Sequence, residues 1–150
     1  RKVRLYSVER TIEELKILKY EKGARGIYFQ DSTFTLNRRY VTNLFEMMIK
    51  NGLNDLLWSC TTRTDRVDLD LLQLMYEAGC RNILYGIESG NQQSLDVIKK
   101  NITVERQQQA VEWTHKAKIT MTNSEKINIE LNNSRVFNSV IKSFQTIAAT

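Results

Sequence analysis

The side chains able to do chemistry fall into a few short groups: Asp31-Ser32-Thr33, then Ser59 with Thr61 and Arg63, then Glu88-Ser89, Lys100, the cysteines Cys60 and Cys80, and His115. The cysteines stand twenty residues apart with no C-x-x-C spacing. That supports neither a disulfide framework nor a zinc site, and buried free thiols are expected. His115 shares its segment with Ala110, Trp113 and Ala117 and has no second ligand or nucleophile beside it, so it is assigned no chemistry. No glycine-rich loop precedes a helix, which disfavours a phosphate-binding barrel. What remains is a set of carboxylates, hydroxyls and cations suited to holding a polar ligand. These residues alone name no catalytic group and no metal ligand.

A repeating pattern positions these groups. Ser7 caps a helix with Val8, Ile12, Leu15 and Leu18 on one face, and Gly23 stops it. The apolar run Ile27-Tyr28-Phe29 then passes into Gln30-Asp31-Ser32-Thr33. Asn37 caps a second helix with Val41, Leu44, Phe45, Met48 and Ile49 on one face, closed by Gly52, and Leu56-Leu57-Trp58 runs into Ser59-Cys60-Thr61-Thr62-Arg63. Asp68 caps a third with Leu71, Leu72, Met75 and Ala78, ended by Gly79, and Ile83-Leu84-Tyr85-Gly86-Ile87 runs into Glu88-Ser89-Gly90. The glycines at 23, 52 and 79 are 29 and 27 residues apart, and the expected strand ends Asp31, Cys60 and Glu88 are 29 and 28 apart. Thr103 with Glu105 reads as the capped start of a further helix. The period predicts an α/β fold of repeated βα units, forming a parallel sheet or a partial (β/α) barrel. In such folds the ligand sits at the carboxyl ends of the strands, where each polar group here falls.

Composition narrows the partners. The chain has 150 residues, 41% hydrophobic and 26% charged, with a formal net charge of +5. It reads as one domain with an ordinary core. Basic residues alternate with acidic ones along helices, as in Glu13-Glu14 with Lys16 and Lys19, so a nucleic-acid patch is not favoured. No apolar run approaches the about 20 residues of a membrane span, and no signal peptide is visible. The expectation is a cytoplasmic chain that takes a small molecule.

Three runs carry a family resemblance: Gly26-Ile27-Tyr28-Phe29-Gln30-Asp31-Ser32-Thr33-Phe34-Thr35, Trp58-Ser59-Cys60-Thr61-Thr62-Arg63-Thr64-Asp65-Arg66-Val67, and Gly79-Cys80-Arg81-Asn82-Ile83-Leu84-Tyr85-Gly86-Ile87-Glu88-Ser89-Gly90. They resemble the second, third and fourth strands of radical S-adenosylmethionine (SAM) enzymes, in the branch whose members often carry a cobalamin-binding domain. The resemblance implies that Asp31, Ser32 and Thr33 occupy the place that binds the amino group of SAM, with Ser32 standing where this branch has a second aspartate. It further implies that Thr61 and Arg63 contact cofactor or substrate, that Glu88 and Ser89 contact the cofactor, and that Lys100 pairs with the methionyl carboxylate. A plainer reading of each stays open. Asp31 would cap its own loop, Glu88 would pair with Arg81 or Arg63, and Lys100 would be a solvated lysine.

The same resemblance marks what is missing. The family holds a 4Fe-4S cluster with three cysteines spaced C-x-x-x-C-x-x-C after the first strand, and Cys60 and Cys80 match no part of that motif. The expectation is a fragment, inactive alone, whose parent would carry the cluster and, in this branch, cobalamin. The alternative is a non-catalytic βα module that keeps SAM-type binding or only an interaction surface. Residues 1–118 are assigned to the partial barrel and 119–150 to a divergent βα tail of the same domain. In that tail Ile127, Ile129 and Leu131 suggest a strand and Val136 to Ile147 a helix; a frameshifted or truncated end is the competing reading. Exposed barrel edges imply homo-oligomers.

Overall fold

The structure is a computed structural model that describes residues 6–87, 92–97 and 101–123. The four longer α-helices each begin where a short polar side chain satisfies a free backbone N–H. Ser7 accepts from the Arg10 N–H at 3.2 Å, and α1 (Val8–Lys16) continues as one π-helical turn, Ile17–Glu21. Asn37 accepts from Tyr40 at 3.0 Å ahead of α2 (Arg38–Lys50), and Asp68 from Leu71 at 2.8 Å ahead of α3 (Leu69–Glu77). The short helix α4 (Gln92–Val97) precedes α5 (Val104–Lys116), which Thr103 caps through Arg106 at 3.1 Å. All four caps are those expected from the sequence.

Between the helices run β1 (Gly26–Phe29), β2 (Leu57–Thr62), β3 (Cys80–Tyr85) and β4 (Thr120–Asn123). They form one parallel sheet in the order β1-β2-β3-β4. This is the expected α/β architecture, four parallel strands alternating with helices, and it makes one wall of a barrel. The strand limits differ from the expected ones. β1 ends at Phe29, before Asp31; β2 continues past Cys60 to Thr62; and β3 stops at Tyr85, before Glu88. Pairing decides these limits, since Phe29 lies opposite Cys60, and Thr62 opposite Tyr85. β4 sits just past residue 118 and pairs with β3, ahead of the alternation at Ile127, Ile129 and Leu131. That alternation and the helix expected from Val136 to Ile147 lie outside the described residues.

The two faces of the sheet differ in kind. Ile27, Trp58, Cys60, Ile83 and Tyr85 point into a core shared with Ile12 and Leu15 of α1, Val41, Leu44, Phe45 and Met48 of α2, Leu71, Leu72 and Met75 of α3, and Ala110 of α5. Burial of each large apolar side chain contributes about 1.5–3 kcal/mol. On the other parity of the same strands stand Tyr28, Ser59, Thr61, Asn82 and Thr122, all half-buried, together with exposed Thr120 and buried Leu84. A two-residue side-chain period makes this segregation automatic once the register is fixed. None of the described helices is long and apolar enough to cross a membrane.

Candidate functional site

The turn after β1 carries Asp31, Ser32 and Thr33, and two anchors hold it. Immediately beyond it the 3-10 turn Phe34–Leu36 drives Phe34 into an aromatic nest, stacked on Phe29 at 4.4 Å and edge-on to Trp58 at 5.7 Å, with Phe45 stacked on Trp58 at 5.2 Å. The next residue, Thr35, is buried and hydrogen-bonds Thr62 at the end of β2 at 2.6 Å. A buried hydroxyl pair of this kind contributes about 1 kcal/mol, and losing one partner costs more because the other is left without a mate. The turn is thus seated on core residues. Its own side chains stay outside: Asp31 and Ser32 are exposed, Thr33 half-buried, and they line a cleft of about 670 Å³ with the first turn of α2. Asp31 has no ion-pair partner among the described residues.

The rim after β2 is charged but largely self-satisfied. Arg63 forks onto Asp65 with bonds of 2.9 and 3.0 Å, and its guanidinium holds the Asp65 carboxyl below the usual carboxylate range. Arg38 forks onto Asp68 at 2.7 and 3.1 Å, linking the first turns of α2 and α3. Partial burial works against the Asp68 charge, yet Arg38 and the Leu71 N–H outweigh it and keep that carboxyl low. Arg106 of α5 reaches the same rim, donating to the Val67 carbonyl at 2.6 Å while lying over the Trp113 ring.

Thr61, on the open face of β2, is bonded to the Tyr28 hydroxyl of β1 at 2.5 Å. On β3 and β4 the equivalent contact is Thr122 to Asn82 at 3.0 Å. The structure therefore places Asp31, Ser32, Thr33, Thr61 and Arg63 at or near the carboxyl ends of adjacent strands. Glu88, Ser89 and Lys100 lie outside the described residues. Arg81, considered as a partner for Glu88, sits at the amino end of β3, bonded to the Tyr76 and Cys80 carbonyls and lying over the Tyr76 ring. Sequence reasoning passed over Tyr28 and Asn82, although the alternation of Trp58, Cys60 and Thr62 with Ser59 and Thr61 was a signal for an open face. His115 is exposed in the last turn of α5, as expected.

With this geometry in place, comparison with known proteins is decisive. Residues 1–125 match the Radical SAM superfamily. The chain belongs to that superfamily. It is 38% identical over 111 residues to an uncharacterized methyltransferase of Pyrococcus horikoshii, a match spanning 74% of this chain and 24% of that protein. It is 31% identical over 122 residues to the anaerobic magnesium-protoporphyrin IX monomethyl ester cyclase of Cereibacter sphaeroides, spanning 79% of this chain and 20% of the cyclase. Among solved structures, the cobalamin-dependent S-adenosylmethionine radical enzyme OxsB, bound to aqua-cobalamin and S-adenosylmethionine, shares the fold with a TM-score of 0.72 at 24% identity, over 80% of this chain and 19% of that one. The chain spans a fifth to a quarter of the length of these curated relatives.

Membership implies SAM and a 4Fe-4S cluster as the family's cofactors, and the residues present fit the two unequally. An exposed carboxylate above a hydroxyl-lined face suits a cationic, hydroxylated molecule such as SAM. Cys60 and Cys80 do not suit a cluster. Both are buried on the helix-facing side of the sheet, away from the open face. Burial, followed by the neighbouring Cys80 thiol, pushes the Cys60 thiol well up, so it stays protonated rather than becoming the thiolate a metal needs. Among the described residues no three cysteine, histidine or acidic side chains converge as metal ligands.

Proposed function

We propose that this chain is the SAM-binding wall of a radical SAM barrel related to the cobalamin-dependent methyltransferases. In this reading Asp31 receives the ammonium of the methionyl group, Ser32 and Thr33 add hydroxyl contacts from the same turn, and Thr61 holds the ligand from β2. Arg63 acts through its fork with Asp65, which stiffens the rim. Glu88 and Ser89 complete the cofactor contacts, and Lys100 pairs with the carboxylate. The observation that carries the proposal is the Asp31 turn, anchored from below by Phe34 and Thr35 yet presenting an exposed carboxylate that has no ion-pair partner among the described residues.

The cluster, when bound in the family, supplies the electron that splits SAM. Three thiolates hold it, whereas this sequence has two cysteines, both turned into the core. The proposed activity of the chain by itself is therefore binding without cleavage. Calorimetric titration with SAM tests the binding: saturable heat that is lost in Asp31→Ala supports it, and no detectable heat in the unaltered chain overturns it. Anaerobic incubation with iron and sulfide tests the second part. Formation of a cluster that cleaves SAM would overturn the assignment of inactivity.

A further inference from the structure

One buried side-chain nitrogen among the described residues has no hydrogen-bond partner, Nη1 of Arg106. The rest of that side chain is engaged. Nη2 donates to the Val67 carbonyl at 2.6 Å, and the guanidinium lies over the Trp113 ring at 4.9 Å. A charged N–H taken out of water with nothing to accept it is costly, and native structures seldom leave one so. An acceptor stands close by in the chain, because the residue after Val67 is Asp68.

Asp68 divides its two oxygens between tasks. Oδ1 accepts the Leu71 N–H at 2.8 Å, the cap of α3, and also Arg38 Nη2 at 3.1 Å, whereas Oδ2 is held by Arg38 Nη1 at 2.7 Å. Burial works against the charge of this carboxyl, and Arg38, the Leu71 N–H and lastly Arg106 hold it low. Guanidiniums from α2 and α5 thus act on one carboxylate, and only that of α2 is bonded to it. Asp65 is already taken, forked by Arg63 and with Arg66 at 4.0 Å. The Arg38 fork has both side chains 48% exposed, so water can replace either partner and the net worth of the pair is small. The seat at Arg106 offers a single bond, but to a donor that water does not reach.

We infer that Arg106 is a second seat for the Asp68 carboxylate, and that Oδ2 passes from Arg38 to Arg106 Nη1 while Oδ1 keeps the α3 cap. The helix start is undisturbed, since the Leu71 bond is common to both positions. The exchange releases Arg38, which lines the cleft beside Asp31. In the first position that guanidinium is neutralised by Asp68; in the second it is a free cation at the cleft. The device stands whether or not Asp31 takes SAM.

The test follows the Asp68 carboxyl carbon by NMR as pH is lowered, in the unaltered chain, Arg38→Gln, Arg106→Gln and the double variant, each checked for a dispersed spectrum. If Arg106 is an idle neighbour or only a support for Val67, its removal raises the Asp68 midpoint equally with and without Arg38. With exchange, removal of Arg106 raises it further in the Arg38→Gln background, by about fivefold or more in the acid constant, the worth of one hydrogen bond. Equal increments overturn the inference. A second measurement leaves Arg106 in place and so does not depend on Arg106→Gln folding. The Arg106 side-chain N–H resonances should move downfield in Arg38→Gln as Nη1 gains its acceptor, and unmoved resonances overturn the inference as well.

Discussion

Replacing Gly79 by alanine tests whether the hinge between α3 and β3 sets the register of the sheet. Gly79 has φ +107°, and a Cβ there would stand 2.8 Å from the Leu56 carbonyl oxygen and 2.9 Å from that of Asn54, with Trp58 Cδ1 at 3.3 Å. Those oxygens belong to the backbone leading into β2 and cannot rotate away. The Gly79 carbonyl also accepts the Trp58 N–H at 3.0 Å, so relieving the clash breaks the first rung between β2 and β3. Gly52→Ala is the control, because its φ of +65° is likewise left-handed but nothing lies within 4 Å of the added methyl. The backbone term alone costs about 1–2 kcal/mol at either site. The clash at Gly79 adds about 1–3 kcal/mol, as overpacking does elsewhere. Gly79→Ala should therefore lose about 2–5 kcal/mol and Gly52→Ala about 1–2, out of a total of about 5–15 for a domain of this kind. Urea unfolding followed by tryptophan emission measures both. With a slope of about 1–3 kcal/mol per molar, the midpoint for Gly79→Ala should fall at least roughly 0.3 M below the control. Equal midpoints would refute the claim that close backbone packing at Gly79 fixes the register.

Other outcomes follow from the rim and the core. Asp68→Ala removes the cap of α3 and the Arg38 fork together and should cost about 1–2 kcal/mol, whereas Asp68→Asn keeps a capping oxygen and should cost a few tenths; thermal melts distinguish them. Because the folded chain holds the Asp65 and Asp68 carboxyls low, their stabilisation is complete above the ordinary carboxylate value of about 3.9 and lost as pH falls through the lower folded values. Melting temperature should drop across that acidic range, and less steeply in Asp68→Asn. Trp58→Phe breaks the 2.9 Å bond from the indole N–H to the Ala78 carbonyl in the core and should cost about 1–3 kcal/mol by urea midpoint. In the native chain both thiols should resist a disulfide reagent and react only on unfolding; rapid native labelling would contradict their burial.

Features that depend on near neighbours in the chain were legible. The caps at Ser7, Asn37, Asp68 and Thr103 and the stops at Gly23, Gly52 and Gly79 are decided within a few residues, by side-chain oxygens and by backbone that only glycine adopts freely. The polar strand ends were visible for the same reason. Long-range pairing was not. The extension of β2 to Thr62 depends on Tyr85 opposite it, and Thr-Met-Thr-Asn reads as polar loop until β3 supplies its ladder. The engagement of Arg63 by Asp65 follows from the tight 3-10 turn Thr64–Arg66, which spacing alone did not reveal. Tyr28 looked like one more apolar strand residue. Its hydroxyl acquires meaning only because the register of β1 against β2 brings Thr61 within reach.

The double duty of Asp68 also bears on how this part of the sequence can change over generations. Its two carboxylate oxygens serve both the N-terminus of α3 and the guanidinium at the start of α2. Drift from aspartate to asparagine or serine would keep the helix start but strand Arg38, so positions 38 and 68 are predicted to change in concert across related sequences. A lineage that gave up the fork would have to hold the turns after β1 and β2 together by another route. Covariation of this pair, thirty positions apart, would be the inherited trace of two turns that must stay in step.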